Sequence, residues 1–299
     1  MELKGIYPIV PTPFLDSGAV DLESVDRITA FVVKRGVHGL AVLGALGEGH
    51  KLDESERTQV IERFRSAVPD GLGLVVGVRA AATDLAVRMA QHAFELGADA
   101  LLLGPLPVQN DKALHTYYQK VSGAVRVPVI IHDYPAATGI TMTPELIADI
   151  FKSCDNVQYI KLEDPPTGPK MDAVWALAGR DLRIFGALGG MYAFEELDRG
   201  AVGIMTGFAY PELLVELYRR FNGGDVEGAA QLFYDILPLS RLEFQPGIGV
   251  SIRKNVLVKR GVFKTAYVRH PGPQADAKTL EHLYRIVDHL KKRGYEISD

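Results

Sequence analysis

A chain of 299 residues with 47% hydrophobic and 23% charged residues is globular and buries a large core, either as one α/β barrel or as two smaller domains. A net charge of -4 with scattered basic residues leaves no electrostatic footprint for nucleic acid, and the one basic cluster, Lys291-Lys292-Arg293, is placed to complement a helix C-terminus. A single cysteine, Cys154, excludes an internal disulfide; no apolar run is long enough for a membrane or a signal peptide, so no membrane partner and a cytoplasmic location are expected.

From the N-terminus, short apolar runs alternate with longer segments of helical period. The runs at 5–10, 39–43, 74–78, 100–103, 128–132, 157–161, 182–186 and 202–206 predict eight strands. Between them, Asp53 and Glu56 form a capping box, Thr83 opens a helix with Leu85, Met89, Ala93 and Leu96 on one face, and Thr143 precedes Pro144 at the first helical position. Strict alternation of this kind predicts an α/β protein, a (β/α)₈ TIM barrel rather than an open doubly wound sheet, over residues 1–223. After Asn222 the alternation stops. Segments 225–237, 251–259 and 278–292 predict a C-terminal three-helix appendix over 224–299, its last helix striped with Leu280, Leu283, Val287 and Leu290 and closed by Gly294.

In such a barrel the reacting groups stand at the carboxyl ends of the strands. Lys161 ends the sixth. Burial there disfavours its ammonium form and frees an amine that can attack a carbonyl, whereas a lysine with its head in water would do neither. Glu163 and Asp164 follow after Leu162, as an acid or base for the same reaction or as carboxylates paired elsewhere. After strand two, Gly44-Ala45-Leu46-Gly47-Glu48 is a glycine-rich turn whose N–H groups can face an anion; it lacks the pattern of a phosphate loop, and Gly186-Ala187-Leu188-Gly189-Gly190 lacks that of a dinucleotide fingerprint. Strand five ends in His132-Asp133-Tyr134-Pro135, and alternation sends His132 to one side and Asp133 to the other without saying which enters the barrel mouth. Thr206 closes strand eight. No histidine has metal-ligand spacing, so no metal is expected.

The glycine-rich turn, the aromatic-Pro and Thr-Gly segment after strand five and the Ile160-Lys161 strand end stand in the order and spacing of the dihydrodipicolinate synthase and N-acetylneuraminate lyase family, which the chain resembles over essentially its whole length. The resemblance implies a barrel that is usually tetrameric, a lysine matching Lys161 that forms an imine with pyruvate or another 2-oxo acid, a turn matching Gly44, Ala45, Leu46 and Gly47 that receives the substrate carboxylate, and no cofactor. Departures are specific. His132 stands where the family has its tyrosine, Ala45 and Leu46 where it has threonines, Ala137 where synthases have an arginine, and Leu106-Pro107 where tyrosines follow strand four. The His-Asp-x-Pro and Lys-x-Glu patterns are closer to the branch acting on 2-keto-3-deoxy sugar acids. The expected activity is therefore an aldolase or dehydratase of such an acid, with Lys161, His132 and Glu163 as reacting groups and Asp133 and Thr206 among the substrate contacts. Three alternatives stand beside it: dihydrodipicolinate synthase itself, a barrel that binds 2-oxo acids without catalysis, and a phosphate-binding isomerase hinted at by Thr206-Gly207.

Overall fold

The computed structural model describes residues 2–297. Eight parallel strands, β1 (Gly5–Pro8), β2 (Gly39–Val42), β3 (Gly73–Val78), β4 (Ala100–Leu103), β5 (Val129–Asp133), β6 (Val157–Leu162), β7 (Arg183–Gly186) and β8 (Gly203–Thr206), run in the order β1-β8-β7-β6-β5-β4-β3-β2. The ring closes through a parallel bridge between Ile9 and Ala41, where the Val10 N–H donates to the Ala41 carbonyl at 2.8 Å. This is a (β/α)₈ barrel. Its strands are buried on both faces and so read as continuous apolar runs.

Successive side chains on a strand point to opposite faces, which divides the core in two. Tyr7, Ile130, Tyr159, Phe185 and Met205 point inward and fill the barrel, while Ile131, Ile160 and Leu162 point outward into the layer under the helices. One further step up the inward rows of β5 and β6 stand His132 and Lys161, at the carboxyl ends.

The helices begin where the capping residues place them. Asp53 and Glu56 make the reciprocal capping box of Glu54–Ala67, and Thr143 accepts from the Leu146 N–H ahead of Pro144–Ser153. Thr83 is the first residue of Thr83–Glu95, and Ala82 before it has no side chain that could cap. The face of that helix differs from the expected one: Ala86, Ala90 and Ala93 are buried and Leu85 is exposed, because the small residues let the helix approach the sheet closely. Beyond Pro211–Asn222 come Val226–Glu243, Gly249–Lys259 and Ala277–Lys292. The first of these runs past the expected end at Leu237, through Pro238 to Glu243, since tertiary packing outweighs the local cost of an internal proline.

The C-terminal helices are locked to the barrel by charge as well as by apolar packing. Lys254, fully buried, donates to the Glu48 carboxylate at 2.5 Å and to the Tyr267 carbonyl at 2.8 Å, and the second Glu48 oxygen accepts from Lys51 at 2.8 Å and from the Arg269 N–H at 3.1 Å. Glu48 has a positive φ of 52° at the end of the glycine-rich turn, a conformation costly for a side-chain-bearing residue and held here by these bonds.

Candidate active site

Strand β6 carries one residue more than β5 along their shared edge. Val129 pairs with Val157 but Ile130 pairs with Tyr159, so Gln158 is passed over in a bulge. The pairing then runs Ile131 to Ile160 and His132 to Lys161. Without the extra residue the inward His132 would lie level with the outward Ile160. With it, two inward side chains meet at one height.

His132 Nε2 lies 3.3 Å from Lys161 Nζ and 2.9 Å from Glu163 Oε2, and Lys161 Nζ donates to that same carboxylate oxygen. Glu163 continues the inward row of β6, its N–H donating to the Asp133 carbonyl at 2.8 Å. All three side chains are buried. Burial lowers the Lys161 pKa, and the adjacent Glu163 carboxylate only partly restores it. For Glu163, burial by itself would raise the pKa, but the Lys161 charge and the His132 hydrogen bond outweigh it and hold the group at about 2. His132 is lowered by burial and then by the Lys161 charge, against the pull of Glu163, so the ring is neutral at neutral pH. A neutral Nε2 either donates to Glu163 or accepts from Lys161, which makes this triad a place where one proton can change hands.

The triad opens on a cavity of about 190 Å³. Gly44, Ala45, Leu46 and Thr206 line it, as do Tyr134 and Ala137 from the loop after β5. Among the described residues no carbonyl or side chain accepts from the N–H groups of Ala45 or Leu46, which leaves them for a ligand anion. The Leu46 side chain reaches across the mouth to Gly207, where a Cβ would come within 2.0 Å of it. The hydroxyls that the family's tyrosines and threonines would supply at His132, Ala45, Leu46, Leu106 and Pro107 are not made up by the tyrosines nearby in the chain: Leu102 lines the cavity at the end of β4, and Tyr117 and Tyr118 on Asp111–Gly123 spend their hydroxyls on the Gly104 and Leu103 carbonyls at 3.0 and 3.2 Å.

Two of the expected substrate contacts lie elsewhere. Asp133 points out of the barrel, where its carboxylate is 2.7 Å from Lys170 Nζ, because inward His132 forces its neighbour to the other face. Gly47 is in the support of the turn rather than in the wall, its carbonyl accepting from Thr12 Oγ1 at 2.6 Å. Asp164 likewise pairs with Lys170 at 2.7 Å. Conversely, the cavity includes groups to which no role was given. Tyr134 lines it with a hydroxyl pKa pushed to about 12 by burial and by Glu163. Gln245, from the connection after Val226–Glu243, and Arg253, from Gly249–Lys259, line it as well. Among the described residues no three His, Cys, Asp or Glu side chains are grouped so as to hold a metal, and no helix is long and apolar enough to cross a membrane.

A buried amine at the end of the sixth barrel strand, with a carboxylate and an imidazole in contact, defines a lyase of the class that works through a lysine Schiff base, making or breaking carbon–carbon or carbon–oxygen bonds. The chain belongs to the dihydrodipicolinate synthetase family, whose sequence model matches residues 2–290. It is 29% identical over 301 residues to 4-hydroxy-tetrahydrodipicolinate synthase of Methanopyrus kandleri, covering 98% of this chain and 97% of that protein. It is 26% identical over 296 residues to L-2-keto-3-deoxyarabonate dehydratase of Azospirillum brasilense, covering 96% and 94%. The crystal structure of dihydrodipicolinate synthase from Rhodopseudomonas palustris superposes with a TM-score of 0.90 at 33% identity, over 96% of this chain and 97% of that one.

Proposed function

We propose that the chain is an aldolase or dehydratase of a 2-keto-3-deoxy sugar acid, with Lys161 as the nucleophile. The observation that carries this is the contact of Lys161 Nζ with both Glu163 and His132 in a buried site where an imidazole, not a phenol, is the group next to the amine. The neutral amine of Lys161 attacks the C2 carbonyl carbon, and loss of water gives the protonated imine, an electron sink. The substrate carboxylate lies against the free N–H groups of the turn at Ala45 and Leu46. His132 then takes the proton of the C4 hydroxyl as the C3–C4 bond breaks, its electrons flowing to the imine nitrogen to leave an enamine and an aldehyde. In the dehydration variant His132 instead takes a C3 proton, the C–H electrons flowing to the imine nitrogen to give an enamine, and the imidazolium so formed returns that proton to the C4 hydroxyl, which departs as water as the enamine electrons push back out. Glu163 keeps the nitrogen and the imidazole in place and is the second candidate for the proton. The Azospirillum dehydratase supports this substrate class.

The synthase reading has support of its own in the names of the Methanopyrus and Rhodopseudomonas relatives. Against it stand Ala137, where synthases have an arginine, and Leu106-Pro107, where tyrosines follow strand four. Family resemblance extends the proposal to a homotetramer in the cytoplasm, which sedimentation and fractionation test. For the substrate, the purified protein is incubated with 2-keto-3-deoxy-pentonates and hexonates, and separately with pyruvate plus aspartate semialdehyde. Release of pyruvate or of a dehydrated 2-oxo product from the first set, with several hundredfold weaker turnover of the second, is the expected outcome, since one lost preorganised donor costs about 10²–10³ in rate. Ordinary turnover of the semialdehyde with none of the sugar acids reverses the assignment.

A further inference from the structure

A second set of anion donors lines the same cavity as the turn, supplied wholly by the C-terminal helices. The helix Gly249–Lys259 begins on the cavity: Gly249 and Val250 line it, and Ile248 before them offers no capping side chain. Among the described residues nothing accepts from the N–H groups of Val250 and Ser251, so this end of an eleven-residue helix presents its partial positive charge uncapped. One turn on, Arg253 lines the same cavity at 6% exposure. Its Nε is 3.3 Å from Glu243 Oε2 and its Nη1 donates to the Gly249 carbonyl at 3.2 Å. Nη2 has no hydrogen bond to another described residue. Gly249 is required for this arrangement, since a Cβ there would lie 2.9 Å from Nη1 and 2.8 Å from the Glu243 carbonyl.

Resting on the Schiff-base reading, we propose that Arg253 and the N-terminus of Gly249–Lys259 form a subsite for a second carboxylate, which narrows the sugar acid of the proposed function to one that carries a carboxylate at its far end, a 2-oxo diacid held by the turn at one end and by Arg253 at the other. The charges around Arg253 fit a carboxylate monoanion. Glu243, its partner, is raised to about 7 by burial and supplies less than a full negative charge, and the Glu163 carboxylate is already matched by Lys161. A phosphate dianion would face Glu243 with only one guanidinium to balance it, and the cavity of about 190 Å³ suits a short chain. A guanidinium presents a planar fork to a carboxylate, which gives the subsite direction as well as charge.

The test compares 2-oxoglutarate with 2-oxopentanoate, and 2-oxoadipate with 2-oxohexanoate, as ligands trapped on the protein by borohydride, with pyruvate as reference. In the parent protein at least one diacid half-saturates labelling at about a tenth or less of the concentration its monoacid counterpart needs, and in Arg253→Met/Glu243→Gln that preference drops to about twofold or less. Removing both members of the pair leaves no unmatched buried charge to unfold the site. Equal half-saturation for diacid and monoacid in the parent overturns the subsite, as does a preference that survives the double substitution. So does loss of the preference in Arg79→Gln instead, Arg79 being the cation whose Nη1 is 3.4 Å from the Ala137 carbonyl. If pyruvate and all four acids fail to label, the imine reading is what has failed, and calorimetric binding of the same pairs then decides the subsite by the same criterion.

Discussion

His132 faces Lys161 because of a residue that touches neither: the bulge at Gln158 advances β6 by one position and brings Nε2 within 3.3 Å of Nζ. A slip of one residue in a strand exchanges its inward and outward side chains, so the site depends on the length of the strand as well as on its sequence. Replacing Gln158 by Ala keeps the extra residue and should leave turnover within about twofold, whereas deleting Gln158 should abolish borohydride trapping of pyruvate. Circular dichroism on the deletion separates loss of the site from loss of the fold. Full activity after deletion would show that the bulge does not set the register.

For His132 the expectation concerns both rate and pH. His132→Gln should still form the imine on Lys161 but turn over about 10²-fold more slowly. Because burial and the Lys161 charge lower the pKa of the ring, the form required, the neutral one, is lost only below the ordinary value of 6.5. The parent activity should therefore fall on the acid side with a midpoint beneath 6.5, and this limb should be absent from the Gln variant. A midpoint above 6.5, or an unchanged profile in the variant, transfers the proton to Glu163.

Glu163 is tested through the lysine it touches. With the carboxylate gone, desolvation acts on Lys161 unopposed, so in Glu163→Gln the pH dependence of pyruvate trapping should move to lower pH. The stability effect has a defined window. The folded carboxylate is held at about 2 against an ordinary 4.5, so its stabilising contribution is complete above 4.5 and is lost as pH falls toward 2. The difference in unfolding free energy between parent and Glu163→Gln should accordingly shrink across that interval; a constant difference would mean that the ion pair does not form.

The Glu48–Lys254 pair joins the substrate turn to the C-terminal helices with both side chains essentially out of water. Breaking one member of a buried pair leaves the other uncompensated, and Glu48→Gln should cost about 3–5 kcal/mol in chemical denaturation. Substituting both by apolar residues, Glu48→Leu/Lys254→Met, should recover part of that loss. Urea unfolding of the three proteins checks the order, and equal stability of all three would show the pair to be idle.

Much of this was legible in the chain. Lys161 stood out because an apolar strand ending in a lysine and two acids is an unusual pattern, and the eight alternations declared the barrel. The side of β5 that enters the mouth was not legible, because β5 is buried on both faces and Val129 through Ile131 carry no polar alternation to orient it. Gln158 was hidden for the same reason, lying between Val157 and Tyr159 in a run that is apolar on both sides. Arg253 and Lys254 were given no role within the predicted helix 251–259, yet Gly249–Lys259 is packed all round, and Ile252, Arg253, Lys254 and Val256 are buried together. The one available signal was two basic residues inside a helix with no polar stripe to place them on.

Everything above turns on whether Lys161 bonds covalently to a 2-oxo acid. Incubation with pyruvate, reduction with borohydride and mass spectrometry of the digested protein should show a reduced adduct on the peptide containing Lys161, absent from Lys161→Ala. An adduct on another lysine, equal labelling of Lys161→Ala, or no adduct on the folded parent protein would contradict the imine at Lys161.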